Sequence, residues 1–522
     1  MAMNFRWSAL LIAGLLATPA VAAGTNADVV RGLAARVGPI VGSASACQAI
    51  DQGRVQAIVD KFREVIREAS GGGSDRDDLT RVFNGYVADG RSRVGAGQTD
   101  CATAGRQLVD LERSLGQAAP PQTTAAVLAP STAAAATAPT ATLPVQNPGN
   151  VQGITPNEIR FGIAAPFSGA SKELGRQMKL GIDAAFNRAN DAGGIGGRSL
   201  RLFAADDGYE PSRTLEAMKQ LYEKDKVFGF IGNVGTPTSA IAMPYALQHR
   251  SLFFGAFTGA SILRNDPPDR YVFNFRASYS EETDTVVHYL IKLRRLQPRD
   301  IAVFAQQDSY GDSGFAGVAK AFRSLGLSDS SIVRLNYKRN TVDVDEALAQ
   351  LKAMKYPPKA IVMVATYRAA AKFIERTRDL YPNMIYTNVS FVGSTELSDE
   401  LMLLGPRYAN GVIVTQVVPA VGGYSSAVLE YKSAMEKYFP GEAPSYVSFE
   451  GYTAANVLIQ ALKRTGAQLD TEALIDTLEN MRDLDLGLGA KMGFGRAEHQ
   501  ALHKIWGTAL DDKGKYQAIE LE

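Results

Sequence analysis

Apolar side chains recur along this chain with two different periods, and the change of period divides it into segments. Between residues 24 and 115 they follow the three- and four-residue spacing of an amphipathic helix, as at Val55, Ile58, Val59, Phe62, Val65 and Ile66. A glycine-rich stretch at 71–75 interrupts the spacing, which returns at 79–86 and 108–115. The pattern predicts a small helical module over residues 24–115.

Residues 116–156 have a different composition. They consist mainly of Ala, Thr, Pro and Gln and contain no charged side chain. Such a stretch cannot bury enough apolar surface to order itself, and its prolines keep the backbone extended. This segment is predicted to be a disordered linker.

From residue 157 onward, short apolar runs alternate with helical patterns. Pro211 stands where a helix can begin, and Ser278 and Glu281 have the spacing of a capping box. Parallel strands connected by helices give this alternation, which predicts an α/β fold. About 365 residues are more than a domain with one sheet contains, so two Rossmann-like lobes are predicted over 157–522. The predicted strands are 159–164, 200–204, 227–231, 252–255, 301–305, 332–337, 361–365, 390–393 and 412–418.

The first 23 residues have the pattern of an export signal. Arg6 precedes a short apolar stretch at 7–17, and small residues at 20–23 offer cleavage sites. The apolar stretch is too short to span about 30 Å of hydrocarbon. Cleavage of a signal peptide at 1–23 is expected, leaving a soluble periplasmic protein.

Charge and cysteine content narrow the possible partners and the compartment. Lys and Arg number 55 and Asp and Glu number 54, a balance that argues against a nucleic-acid partner. The two cysteines, Cys47 and Cys101, both lie in the helical module. An oxidising compartment favours a disulfide between them, and two buried free thiols are the alternative.

Candidate binding residues lie in the turns that follow the predicted strands, because open α/β sheets bind ligands beyond the carboxyl ends of their strands. The turn at 232–239 places Thr236 at the start of a helix, where backbone N–H groups and the helix dipole favour an anion. It contains no lysine, so a phosphate loop is not expected. The alternative is simple helix capping. The turn at 255–259 adds the Thr258 hydroxyl among small residues.

Three further turns belong to the second half of the pattern. Tyr310 and Tyr367 follow strands there, and Glu396 could supply a negative charge for a ligand ammonium. Half-buried packing is the alternative for the tyrosines, and a helix-terminal surface position is the alternative for Glu396.

Signals for cofactors, metals or catalysis are weak. The glycines at 193–197 follow a helix and precede a strand, the reverse of a dinucleotide site. Glu498, His499 and His503 do not have a convincing metal-ligand spacing, and Asp206 has no candidate catalytic partner. No cofactor, no metal and no enzymatic activity are expected.

Residues 157–522 resemble the type I periplasmic binding proteins, specifically the leucine/isoleucine/valine-binding family of ABC-transporter receptors. The matching stretches include IRFGIAAPFSG, VFGFIGNVGTPTS, FFGAFTGAS and IAVFAQQDSYGDSG, in the order that the family has them. The resemblance implies two lobes joined by three crossovers. The first lobe is expected at 157–279 with 420–485, and the second at 280–419 with 486–522.

The resemblance also implies ligand-binding residues in the first lobe. Thr236, Ala256 and Thr258 match the positions that hold the carboxylate and ammonium of an amino acid, and Leu174 falls near a position beside the ligand. The turn at Thr236 is less serine-rich than in typical amino-acid binders, and Phe257 adds bulk next to the site.

In the second lobe, Tyr310 and Tyr367 match aromatic ligand contacts. The acidic residue that contacts the ammonium falls at Thr395 or Glu396, since the alignment is loose by one residue. The helical module and the linker have no counterpart in the ordinary family architecture.

The function expected from this resemblance is ligand capture by hinge closure. A monomeric, non-enzymatic clamp would bind a small amino acid or a related amide or carboxylate and deliver it to an ABC permease in the membrane. The alternative is a sensing receptor or scaffold that uses the same clamp for signalling. A Rossmann-like enzyme is disfavoured because no phosphate loop stands in the required context.

Overall fold

The chain forms two compact units, Met1–Pro139 and Thr140–Glu522. The expected signal peptide at 1–23 and most of the expected linker lie outside the described residues. No helix in the described part of the chain is both long and apolar enough to cross a bilayer. The computed structural model describes residues 26–69, 73–95, 100–116, 151–466 and 468–521.

The first unit contains four helices among its described residues. Phe62 and Phe83 stack in its core with ring centroids 4.4 Å apart. A disulfide joins Cys47 to Cys101, which confirms the predicted pairing. A Cβ on Gly42 would lie 2.1 Å from the backbone oxygen of Val87, so glycine is what lets the helices Asn26–Ser45 and Gly73–Gly95 pack this closely. The helices are α1 (Asn26–Ser45), α2 (Gln52–Ala69), α3 (Gly73–Gly95) and α4 (Cys101–Gly116).

The first lobe of the second unit is built on a five-stranded parallel sheet with the order β2-β1-β3-β4-β5. Pro211 stands at the first position of the helix Pro211–Lys219, as predicted. The strands are β1 (Glu158–Ala165), β2 (Ser199–Asp206), β3 (Gly229–Ile231), β4 (Leu252–Phe254) and β5 (Val272–Phe273), and the helices between them are α5 (Lys172–Asp191), α6 (Pro211–Lys219) and α7 (Thr236–Gln248).

The second lobe is built on a seven-stranded sheet with the order β12-β11-β10-β9-β8-β6-β7. Strands β6 to β10 run parallel, β11 pairs antiparallel with β10, and β12 pairs antiparallel with β11. The strands are β6 (Ile301–Gln306), β7 (Val333–Tyr337), β8 (Ala360–Val364), β9 (Ile385–Asn388), β10 (Ile413–Gln416), β11 (Trp506–Leu510) and β12 (Tyr516–Ile519). Together the two sheets and the helical module confirm the predicted fold class.

Helices cover both sheets, and one of them carries the predicted capping box. The Ser278 hydroxyl accepts the Glu281 N–H, and the Glu281 carboxylate accepts the Ser278 N–H in return. These helices are α8 (Tyr279–His288), α9 (Ser309–Ser324), α10 (Asp345–Ala353), α11 (Tyr367–Arg378), α12 (Ser394–Leu404), α13 (Pro406–Ala409), α14 (Ser426–Tyr438), α15 (Tyr446–Thr465) and α16 (Thr471–Glu479).

The chain passes between the two sheets after β5, after β10 and again before β11. Helices α14 and α15 return to pack on α5. A Cβ on Gly181 of α5 would lie 1.8 Å from the backbone oxygen of Ser448, so this helix pair also depends on glycine.

The expected lobe boundary at residue 486 is wrong. Phe494 packs against the first lobe, with its ring centroid 6.1 Å from that of Phe254 and 5.3 Å from that of Phe273. The His499 carbonyl accepts the Asn274 N–H at 2.7 Å. The chain therefore stays with the first lobe as far as His499, because these aromatic rings bury one another.

Candidate functional site

The turns after β3 and β4 place two threonine hydroxyls in contact. Gly235 precedes α7 with φ of 104°, a conformation that favours glycine, and Thr236 is the first residue of the helix. The Thr236 and Thr258 hydroxyl oxygens lie 2.7 Å apart, and both side chains are buried. Ala256 is buried beside them, and its carbonyl accepts the Thr258 N–H. The structure thus brings together the three first-lobe turn residues that the sequence singled out.

Tyr310 lies at the start of α9, where β6 ends. The Asp308 carboxylate caps this helix by accepting the Tyr310 N–H at 3.0 Å. The Tyr310 ring is completely buried, with its centroid 4.7 Å from that of Phe391 and 5.3 Å from that of Tyr279. Tyr310 is therefore part of an aromatic cluster between the lobes.

A second group of predicted residues surrounds Gly393. A Cβ added there would lie 2.6 Å from Leu174, 3.0 Å from the Glu396 carboxylate and 3.5 Å from Tyr367. The Tyr367 hydroxyl donates to the Ala170 carbonyl of the first lobe at 2.7 Å. Leu174, Tyr367 and Glu396 thus meet where the lobes touch.

Glu396 is buried, and within the described part of the chain no donor reaches its Oε2 atom. Burial raises the pKa of this carboxyl to about 7, and the nearby Asp399 and Glu173 carboxylates add to the rise. A buried carboxyl in this state can bind a cationic group, because that group would supply the charge partner that ionisation needs.

Phe257, expected to add bulk beside the site, faces the second lobe. Its ring centroid lies 4.9 Å from that of Phe391, so one aromatic ring from each lobe meets at the interface. Thr238, two residues after Thr236, donates its hydroxyl to the Val234 carbonyl and has a structural role.

Sequence reasoning missed a buried ionic network at the first crossover. Arg276 donates to the Glu282 carboxylate of α8 at 2.6 Å and to the Glu450 carboxylate of α15 at 3.4 Å. It also donates to the Ser390 hydroxyl. Because these partners come from both lobes, Arg276 connects the crossover to each of them. The sequence feature that could have indicated this network is Glu450, a single acidic residue in an otherwise uncharged stretch of α15.

Tyr209 is another residue that the sequence did not indicate. It follows β2 with φ of 60°, is completely buried, and accepts the Gln306 side-chain N–H of the second lobe at 3.1 Å. At the rim, Arg339 donates to the Glu210 carboxylate at 2.9 Å. Together with the hydrogen bond from Tyr367 to Ala170, these contacts show that the two lobes are closed against each other.

Residues 158–515 match a family model described as periplasmic binding protein. The Leu/Ile/Val-binding protein homolog 3 of Brucella melitensis is 23% identical over 335 residues, covering 64% of this chain and 86% of its own length. The amino acid binding protein of Pseudomonas aeruginosa is 22% identical over 373 residues, covering 69% and 92%.

Solved structures share the same architecture. A possible leucine/isoleucine/valine-binding protein from Rhodopirellula baltica superposes with a TM-score of 0.66 at 38% identity, covering 71% of this chain and 98% of its own. The isoleucine complex of a branched-chain amino acid transporter substrate binding protein from Streptococcus pneumoniae gives 0.58 at 18% identity, covering 70% and 99%. The second comparison supports the fold alone.

Proposed function

Because this chain belongs to the type I periplasmic binding protein family, we propose that residues 157–522 capture a small amino acid, or a related amide or carboxylate, between the two lobes. The family consists of solute-binding proteins and not of enzymes. In this proposal the protein is exported to the periplasm as a monomer and delivers its ligand to an ABC permease.

The proposal is supported by two polar groups, one from each lobe. The first is the Thr236–Thr258 hydroxyl pair at the N-terminus of α7, where helix dipole and backbone N–H groups favour a carboxylate. The second is the buried carboxyl of Glu396, whose Oε2 no donor among the described residues reaches. Together they suit the carboxylate and the ammonium of an amino acid.

Ligand binding would proceed by hinge closure. The ligand binds the first-lobe turns, and the second lobe then brings Tyr310, Tyr367 and Glu396 over it. A ligand shifts the lobes toward closure only by contacts that it gains in the closed state. Direct interlobe contacts, such as the hydrogen bond from Tyr367 to Ala170, contribute to that state as well.

The named relatives support amino acids as the ligand class. The Brucella protein is named a Leu/Ile/Val-binding protein homolog, the Rhodopirellula protein a possible leucine/isoleucine/valine-binding protein, and the Pseudomonas protein an amino acid binding protein. Leu174, buried beside Tyr367, would face the side chain of such a ligand.

A thermal-shift screen of amino acids, their amides and small carboxylates tests the proposal. A ligand at 100 times its Kd should stabilise the protein by about 2.7 kcal/mol. The double variant Thr236→Ala with Tyr310→Ala should lose this response, whereas Thr465→Ala, at the C-terminus of α15, should keep it. No shift with any compound would reject the proposed ligand class, and unchanged affinity in the double variant would show that the site is misplaced.

A sensing or scaffolding role is a second candidate, favoured by the helical module. The four described helices between residues 26 and 116, with the Cys47–Cys101 disulfide, lie outside the family match at 158–515. Deleting residues 24–115 should leave ligand affinity intact in either case. Loss of ligand uptake in cells that lack the whole protein would support the transport role. Loss of a signalling response alone, in cells that carry the form without residues 24–115, would support the sensing role.

A further inference from the structure

Four tyrosine side chains converge at the interface of the lobes. Tyr209, Tyr279, Tyr310 and Tyr337 are all buried, with 2% exposure or less. Burial raises the pKa of Tyr310 well above its usual value, and the hydroxyls of the other three raise it further because they lie close by. All four therefore keep their protons and can donate hydrogen bonds.

Gln306 of β6 forms hydrogen bonds with two of these hydroxyls. Its amide N–H donates to Tyr209 at 3.1 Å, and its amide oxygen accepts from Tyr337 at 3.0 Å. The Tyr337 hydroxyl also accepts the Thr366 N–H at 3.0 Å. The positions of Tyr209 and Tyr337 are thus explained by contacts within the protein.

The hydroxyls of Tyr279 and Tyr310 differ. Within the residues that the structure describes, neither has a hydrogen-bond partner, although both rings are completely buried. Burial raises the pKa of Tyr279 to about 12, and the nearby Thr258 hydroxyl and Gly259 N–H oppose that rise. Neither of these two groups makes a hydrogen bond to the Tyr279 hydroxyl, and the Thr258 hydroxyl contacts Thr236 instead. A buried hydroxyl left in this state is unfavourable, which points to an acceptor that arrives from outside the chain.

Two helix N-termini and Arg276 favour a negatively charged acceptor at the two hydroxyls. The Glu282 carboxylate also lies near both tyrosines, but it is paired with Arg276 at 2.6 Å. Their ring centroids are 5.3 Å apart, and each residue lies in the first turn of its helix, α8 or α9, where the helix dipole favours an anion. The guanidinium of Arg276 lies 5.5 Å from the centroid of Tyr279 and fixes that ring from one side.

We propose that Tyr279 is a ligand-binding residue which, with Tyr310, donates hydrogen bonds to the carboxylate of the bound ligand and so selects carboxylates over the matching amides. The inference rests on the proposed function and adds to it a residue from the first crossover. Hydrogen bonds to a charged acceptor are roughly twice as strong as those to a neutral one, which gives the selectivity. Tyr279 is the first residue of α8, the helix that follows the first crossover, so a ligand that binds Tyr279 contacts the hinge directly.

Tyr279→Phe and Tyr310→Phe remove only the hydroxyl and test this role. The probes are the twenty L-amino acids, and then the carboxamide of the one that binds most tightly, with affinity measured by calorimetry. Each variant should bind the acid about tenfold more weakly, while binding of the amide changes less. The ligand-free melting temperature should be unchanged or higher, because a buried hydroxyl without a partner has been removed.

Tyr386→Phe is the matched control. Its ring is equally buried in the second lobe, but its hydroxyl is 2.8 Å from that of Thr377. It should lower the melting temperature and leave affinity unchanged.

Three outcomes would overturn the inference. Wild-type affinity for the acid in Tyr279→Phe would overturn it while leaving the proposed function standing. A lower ligand-free melting temperature in both tyrosine variants would mean that the hydroxyls already have partners such as water. If the wild-type protein binds none of the twenty amino acids, the proposed function fails, and this inference with it.

Discussion

Glu396→Gln tests how strongly the closed lobes hold a buried carboxyl in its neutral form. Burial raises the pKa of Glu396 from its usual 4.5 to about 7. The folded protein keeps this proton between those two values, whereas the unfolded chain releases it. The stability that the group contributes is therefore complete below pH 4.5 and is lost as the pH rises through about 7.

The size of the loss follows from the pKa change. At about 1.4 kcal/mol per pH unit, the rise from 4.5 to about 7 corresponds to about 3 kcal/mol. Glutamine has no proton to lose. The unfolding free energy of Glu396→Gln should match that of the wild type near pH 4.5 and exceed it by up to about 3 kcal/mol near pH 8.

Urea unfolding at a series of pH values, followed by the fluorescence of Trp506 in β11, measures this difference. Glu400→Gln is the control, because Glu400 lies on the same helix and makes a partly exposed ion pair with Arg368. Its effect should be about 1 kcal/mol or less at every pH. The reasoning would be refuted if the unfolding free energies of the wild type and of Glu396→Gln changed in parallel with pH.

The same variant examines the proposed ammonium contact. A bound cation needs the ionised carboxylate, so binding of an amino acid to the wild type should release a proton near Glu396 and weaken as the pH falls below about 7. Calorimetry in buffers of different ionisation enthalpy detects such a proton. Binding by Glu396→Gln that keeps the wild-type pH dependence would place the ammonium elsewhere.

Two further predictions concern stability. Arg276→Met leaves the Glu282 and Glu450 carboxyls buried without their cation and should lower the free energy of unfolding in urea by about 3 kcal/mol or more. Arg270→Met, at an exposed ion pair, should lower it by about 1 kcal/mol or less. Equal effects of the two substitutions would contradict the role of the network. Replacing Cys47 and Cys101 by serine opens a loop of 54 residues and should destabilise the helical module by about 4 kcal/mol without altering ligand affinity, and an unchanged helical melting transition would contradict this.

Local features of the fold were predictable from the sequence. The capping box at Ser278 and Glu281 and the helix start at Pro211 depend on residues a few positions apart, and both are present. The alternation of strands and helices is also local, and it predicted two parallel sheets. The disulfide followed from the compartment that the N-terminal pattern predicted, together with the presence of two cysteines.

The candidate site was predictable in part. Turns after parallel strands meet at one edge of a sheet, so the contact between Thr236 and Thr258 follows from their positions in such turns. Tyr310 and Tyr367 were indicated in the same way. Tyr279 was not, because it stands at a crossover and not after a strand whose run could be recognised.

The sequence by itself determined the elements, their order and the turns that end them, because spacing and turn chemistry act between near neighbours. Only the tertiary structure decided which polar groups are buried together. Arg276 and Glu450 are 174 positions apart, and Phe494 joins the first lobe through rings that precede it by more than two hundred residues. Such contacts arise where the lobes close, and burial there gives Glu396, Tyr279 and Tyr310 properties that their local sequence does not show.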